Sequence, residues 1–264
     1  MEISCLAVFR GKVSLYGYCD ILEQRLLYLP DLTKEKVRYN MEDKSLPVFI
    51  GCDPRQPITY NVMQFSITSR SSKPIQITPL YINQLPISRQ GLTEFTYTRF
   101  LVPWLCNYQG WALFTDADML VTTDITELFN YKDDKYDLMV IKNPERFEWA
   151  SVMLFNCTKC TTLTPEFIQN APTEELFGLS WKTNINIGEL PSEWNHLVGY
   201  SPRRNDAKLI HFTQGSPMFP QIGVCEYSAE WFQECMAVNR YSSWHEIMGL
   251  RSMVLGLAEN WFLN

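Results

Sequence analysis

Trp111-Ala-Leu-Phe-Thr-Asp-Ala-Asp-Met-Leu-Val121 is the stretch on which the architecture turns. An apolar run with the composition of a buried strand stops in two carboxylates, Asp116 and Asp118, separated by Ala117. Open α/β sheets expose their ligands at the carboxyl ends of strands. Two carboxylates at i and i+2 on a turn suit one hard divalent cation of the Mg or Mn type, and such a cation can carry a diphosphate. Apolar residues on both sides of the triplet favour this reading over its plain alternative, a pair of helix-capping aspartates.

The flanking sequence fits an alternating fold. Leu46-Pro-Val-Phe-Ile-Gly51 reads as a short buried strand that runs into the loop Cys52-Asp53-Pro54-Arg55-Gln56-Pro57. In that loop Asp53 can accept hydrogen bonds from a ribose or base and Arg55 can pair with a phosphate. The alternative makes Asp53 a helix cap and Arg55 a surface residue. Ile58, Val62 and Phe65 fall at helical spacing over 57–69, and 74–80 reads as a second strand. A helix is predicted over 93–106, with Phe95, Phe100, Leu101 and Trp104 on its apolar side and Pro103 bending its end. Within it Arg99 either snorkels or reaches a nucleotide phosphate.

Beyond the central stretch, 119–122 reads as a short strand, and Asp124-Ile-Thr-Glu127 as a capping box opening a helix over 125–129. Strands are predicted at 137–141, 151–155, 186–190 and 209–212. Thr164-Pro165-Glu166 starts one helix and Thr173 another. This alternation across 47–213 predicts a mixed α/β sheet with helices on both faces. The expected organisation is an amino-terminal extension over 1–45, with strands at 3–9 and 13–18 and a helix at 21–29, packed on a main domain of 46–225. A pair of carboxyl-terminal helices, 228–239 and 242–261, completes the chain over 226–264.

At 264 residues the chain suits one large domain with appendages, and its net charge of −6 argues against a broad nucleic-acid-binding face. The eight cysteines are scattered, and Cys157-Thr-Lys-Cys160 lacks a second pair to complete a zinc site. Free thiols in a reducing compartment are expected, which makes the sequon Asn156-Cys157-Thr158 accidental. No apolar run of about 18 residues predicts a membrane span, and residues 1–20 lack the pattern of a signal peptide. The expected location is cytoplasmic. Of the three histidines, His196 in a loop and His245 in a helix show no role. His211 ends a strand and precedes Thr213-Gln-Gly215, a loop whose glycine lets backbone approach a phosphate. A neutral imidazole there is a good ligand for Mn²⁺.

Five segments occur in a telling order: Gly51-Cys-Asp-Pro-Arg55, Thr98-Arg99-Phe100, Phe114-Thr-Asp-Ala-Asp118, Val152-Met-Leu-Phe-Asn156 and His211-Phe-Thr-Gln-Gly215. Together they resemble the GT-A glycosyltransferases, and most of all glycosyltransferase family 8 with its bacterial and phage relatives, over residues 46–220. The resemblance implies a Rossmann-like GT-A sheet and a hexosyltransferase. Such an enzyme moves a sugar from a nucleotide-sugar donor, a UDP-sugar, to an acceptor hydroxyl on a carbohydrate or glycoconjugate, with retention and with Mn²⁺ or Mg²⁺ as cofactor. It places the metal on Asp116, Asp118 and His211, and the nucleoside by Gly51, Asp53 and Arg55. Arg99, Ala117 and Gly215 fall to the rest of the donor, and Asn156 to the transferred sugar. Glu189 and Trp194 of the loop 188–195 fall to the acceptor side, where Trp194 would stack on a sugar face.

Two features depart from that pattern. Ser216-Pro217 stands where the family carries Lys-Pro, and the spacing from His211 to Gly215 is one residue longer than in the commoner form. Neutralising a diphosphate would then fall to the metal and to Arg99 or Arg55. No carboxylate is assigned as nucleophile or base; Glu148 and Glu189 are the nearby candidates. A nucleotidyltransferase would want a Gly-rich basic loop after the first strand, whereas no glycine follows Gly51 there. A catalytically silent nucleotide-sugar-binding protein would have less need of both aspartates and His211.

Overall fold

The computed structural model describes residues 45–241. The strands and helix expected before residue 45, the second carboxyl-terminal helix and His245 lie outside the described residues. The described residues form nine strands: β1 (Leu46–Gly51), β2 (Ile75–Leu80), β3 (Trp111–Asp116), β4 (Met119–Val121), β5 (Leu138–Val140), β6 (Val152–Asn156), β7 (Ile187–Glu189), β8 (His196–Leu197) and β9 (Leu209–His211). The α-helices are α1 (Pro57–Thr68), α2 (Val102–Leu105), α3 (Pro165–Asn170), α4 (Thr173–Phe177) and α5 (Ser228–Tyr241).

Six strands form one mixed sheet in the order β2-β1-β3-β6-β5-β7. β1 is parallel to both β2 and β3, β6 is antiparallel to β3 and β5, and β5 is parallel to β7. The chain leaves β1 through α1 to β2 on one side and returns to β3 on the other. The carboxyl ends of β1 and β3 therefore flank a topological switch point, where such sheets open a crevice. Gly51 pairs with Asp116 at that end.

Alternation of side chains divides the core between the two faces of this sheet. Phe49, Ala112, Phe114, Met153 and Phe155 face one side, against Phe100, Leu101, Ile168 and Leu176. Val48, Ile50, Leu113, Val152 and Leu154 face the other, against Met63 and Ile67 of α1 and Ile125 and Leu128. A second sheet, β4-β9-β8, carries Leu120 and Ile210 into a third cluster with Val62 of α1 and Trp231 of α5. Arg70 ties α1 to α5 through two 2.7 Å hydrogen bonds to Glu234.

Three local expectations need correction. The helix expected over 93–106 is instead a turn, a 3₁₀ segment Thr98–Leu101 and then α2. Thr96 accepts from the Thr93 amide at 2.9 Å and donates to the Thr93 carbonyl at 2.8 Å, so side-chain bonds compete with the helical ladder. Pro103 sits in the first turn of α2, where its missing N–H costs nothing. Asp124 does cap the 3₁₀ helix Ile125–Tyr131 through the Thr126 amide, but Glu127 turns away to Lys208 at 2.8 Å, so the box stays half-formed. His196 lies in β8, buried, with Glu226 3.4 Å from its Nε2.

Gly51 is held without a side chain because a Cβ there would meet the buried Phe95 ring at 2.7 Å. Gly51→Ala should therefore destabilise the protein by ~1–3 kcal/mol through overpacking, measured as a lower midpoint in urea unfolding. An unchanged midpoint would show that the Phe95 ring yields.

Candidate metal centre

The period-two alternation of β3 puts Asp116 on the face of Ala112 and Phe114, the face against which the 3₁₀ segment Thr98–Leu101 packs. Arg99 of that segment meets it there. Its Nη2 lies 2.9 Å from Asp116 Oδ1 as a charge contact, and its Nη1 donates to the Ala150 carbonyl at 2.7 Å. The guanidinium carbon is 5.0 Å from the Phe114 ring centroid, so an aromatic face backs the cation.

His211 arrives by a separate route. β4 and β9 pair antiparallel with Met119 opposite His211, and the Phe212 amide donates to the Asp118 carbonyl at 3.0 Å. This register sets His211 Nε2 3.5 Å from Asp118 Oδ1. One ligand atom from each of Asp116, Asp118 and His211 lies within 4.8 Å of the others. Asp116 and His211 are buried and Asp118 is half-buried. Oδ1 of Asp116 and Oδ1 of Asp118 are shut off from solvent and make no well-aligned hydrogen bond, meeting Arg99 and His211 as charge contacts only.

Crowding shows in the protonation of the cluster. Burial pushes Asp116 up to about 7, Arg99 opposes that rise, and the charges of Asp118 and Glu148 add to it. Burial alone would lower His211, but the carboxylates of Asp118, Glu148 and Asp116 outweigh it and carry the imidazole up to about 9. Two hard oxygens short of donors and one imidazole fit a Mn²⁺ or Mg²⁺ ion, which would replace the protons that now relieve the charge.

Two residues outside the expected ligand set complete the surroundings. Asn195 Oδ1 is 3.1 Å and Glu148 Oε2 is 3.5 Å from His211 Nδ1. Ser151 donates its hydroxyl to the same Glu148 carboxylate, which is thereby committed behind the histidine. Glu148 had a signal in the sequence as a nearby carboxylate; Asn195 had none beyond its place in the loop 188–195.

The other expected site residues divide. Asp53 is buried just past β1, and Arg55 beside it has 69% of its side chain exposed. The Arg55 amide and Nε each donate to Asp53 Oδ1 at 2.9 Å, which holds the Asp53 carboxyl below the usual range. Asp53 thus closes a turn on its own loop and leaves the start of α1 without a side-chain cap. Gly215 adopts φ +114°, a backbone conformation open to glycine, and Ser216 after it is fully buried with its hydroxyl unpaired. Ala117 is buried between the two aspartates. Glu189, at the end of β7, is exposed.

Two expectations fail. Because β6 runs antiparallel to β3, Asn156 pairs with Trp111, at the far end of β3 from Asp116 and about 17 Å away along the strand. Its side chain bonds Tyr136 and Thr158 there, away from any transferred sugar at the metal centre. Trp194 is 0% exposed, packed in the core below the sheet with Lys208 Nζ 5.1 Å from its ring centroid, and offers no face to a sugar.

Comparison with solved structures identifies the fold. The fold matches the apo WbbM bifunctional glycosyltransferase with a TM-score of 0.55 at 14% identity, covering 74% of this chain and 52% of that one. It matches the glycosyltransferase GlyE of Streptococcus pneumoniae TIGR4 with a TM-score of 0.54 at 16% identity, covering 75% and 64%. It also matches the active-site mutant Q189E of LgtC with a TM-score of 0.50 at 11% identity, covering 73% and 96%. The chain thus spans about half of WbbM and under two thirds of GlyE, and its fold is that of the GT-A glycosyltransferases.

No protein-family model matches the chain. Among curated proteins it is 34% identical over 233 residues to Protein CDI of Arabidopsis thaliana, covering 75% of this chain and 89% of that protein, and it belongs to the Protein CDI family. Among the described residues no helix is long and apolar enough to cross a membrane.

Metal binding should be strongly pH-dependent, because a cation must displace the proton on His211 and, below about pH 7, that on Asp116. Affinity for Mn²⁺, read by electron paramagnetic resonance titration, should rise between pH 6 and 8.5 by about tenfold per pH unit for each proton displaced. A pH-independent affinity would mean that the cation binds elsewhere.

Proposed function

We propose that this protein is a metal-dependent glycosyltransferase that moves a hexose from a UDP-hexose to a hydroxyl of a carbohydrate or glycoconjugate acceptor. The observation that carries the proposal is the trio Asp116, Asp118 and His211, brought together from β3, its following turn and β9 at the switch-point crevice. Asp116, Asp118 and His211 would hold Mn²⁺ or Mg²⁺, which supplies Lewis-acid stabilisation for the negative charge that develops on a departing diphosphate. Retention of anomeric configuration rests on the family resemblance alone.

The residues of this chain have distinct tasks in that reading. Arg99 fixes the Asp116 carboxylate against the sheet and keeps a buried positive charge beside it. Asp53 and Arg55, at the carboxyl end of the adjacent strand, would take the nucleoside side of the donor, with Gly51 beneath them. At Gly215 the backbone has no side chain in the way of a phosphate. Glu189 is the exposed carboxylate on the acceptor side. The six described cysteines are all free, in keeping with the proposed cytoplasmic setting.

Incubation with Mn²⁺ and a panel of UDP-sugars, with UDP release as the readout, tests the reading. Turnover with at least one donor is expected, and Asp118→Asn should lower it by more than about a hundredfold while leaving the fold intact. Consumption of UTP and a sugar 1-phosphate would instead assign nucleotidyl transfer. Mn²⁺-dependent UDP binding without turnover across the panel would leave a binding protein.

A further inference from the structure

The amide of Asn195 faces two groups at once, and only one orientation satisfies both. On one side is the Glu148 backbone carbonyl, 3.3 Å from Asn195 Nδ2; on the other is His211 Nδ1, 3.1 Å from Asn195 Oδ1. A carbonyl can only accept, so the NH₂ end must point to Glu148 and the oxygen to the imidazole. That oxygen in turn can only accept, so His211 must carry a proton on Nδ1. The Glu148 carboxylate, 3.5 Å from the same nitrogen and itself anchored by the Ser151 hydroxyl, is a second acceptor there. On the opposite edge of the ring, Nε2 faces Asp118 Oδ1.

We infer that Asn195 is a positioning residue for the metal centre, fixing the His211 tautomer so that the Nε2 lone pair is presented to the cation held with Asp116 and Asp118. Free histidine prefers its proton on Nε2, the arrangement that would block ligation here, so the tautomer has to be imposed by neighbours. Asn195 is suited to impose it. It is 1% exposed, its side-chain amide is held at both ends by the Glu148 carbonyl and His211 Nδ1, and its backbone carbonyl accepts from Asn143 Nδ2 at 3.4 Å. A ring held in this way meets a metal without first reorganising, the contribution outer partners make at histidine-ligated centres. The inference rests on the metal reading of the trio.

The test uses the full chain as wild type, Asn195→Ala and Asn195→Asp, with Mn²⁺ affinity from resonance titration. It adds ¹⁵N shifts of the neutral His211 ring in metal-free protein, assigned with His211→Gln. The wild-type ring should carry its proton on Nδ1. Asn195→Ala should lose about tenfold in Mn²⁺ affinity, the lower end of the range for a lost outer partner because Glu148 remains. Asn195→Asp keeps an accepting oxygen and should recover most of that loss. Should Asn195→Ala not fold, the wild-type tautomer and the Asn195→Asp affinity still decide the matter. A wild-type proton on Nε2, or unchanged affinity in a folded Asn195→Ala, would overturn the inference. Wild type that binds no Mn²⁺ yet holds its proton on Nδ1 would sink the metal reading, and the positioning role with it, while leaving the tautomer assignment intact.

Discussion

Three carboxylates, Asp116, Asp118 and Glu148, gather at the end of β3, with Arg99 and His211 as their cationic or protonatable partners. Taking charge out of water costs several kcal/mol per ion unless opposite charge and hydrogen bonds replace the solvent. Arg99 meets part of that demand, and protons meet the rest, which is why both Asp116 and His211 hold theirs to higher pH than usual. Metal-free, the folded state binds these protons more tightly than the unfolded chain. Its contribution from His211 is fully present below pH 6.5 and is lost as pH rises through about 9. The Asp116 contribution is likewise lost as pH rises from the unfolded value near 3.8 through about 7. A divalent cation bound there would reverse both trends, so the charge crowding that disfavours the metal-free cluster at alkaline pH would favour a metal.

Register is what makes the cluster possible. Asp116 reaches Arg99 only because it shares the pleat of Ala112 and Phe114, and His211 reaches Asp118 only because it pairs with Met119. A slip of one residue in either ladder would turn the functional side chain to the other face of its strand. The apolar neighbours hold both registers: Phe114 and Leu113 are fully buried on opposite faces, as are Met119 and Leu120 in the short strand. Core packing and the site are therefore set by the same pattern.

That dependence explains what could be read in advance. The Asp-Ala-Asp turn and the strand before it carry strong local signals, apolar period and abrupt polarity, and the trio with His211 follows from recognising both strands. Long-range geometry is less legible. Asn156 has the right neighbours in sequence, but whether it lies near Asp116 depends on the direction of β6, and an antiparallel strand sends its carboxyl end away. Glu148 and Asn195 gain their positions for the same reason: they precede an antiparallel strand and follow a parallel one, so both loops open at the end where β3 stops. Trp194 shows the opposite failure, since composition cannot tell an aromatic that lines a site from one that fills a core.

The serine at position 216 shifts the question of phosphate binding onto the arginines, and their surroundings rank them. Arg99 is buried, bonded to the Ala150 carbonyl and set against Asp116. Withdrawing it toward a donor phosphate would break both its contact with Asp116 and its bond to the Ala150 carbonyl inside the core. Arg55 is tied to Asp53, but its side chain is largely in solvent, where water screens an ion pair and exchange of one anion for another costs little. On the proposed reading Arg55 is thus the arginine free to meet the donor, and Arg99 stays with the carboxylate that holds the cation. On that reading, serine at 216 in place of the lysine of the resembled pattern would move the mobile positive charge from the loop after β9 to the loop after β1.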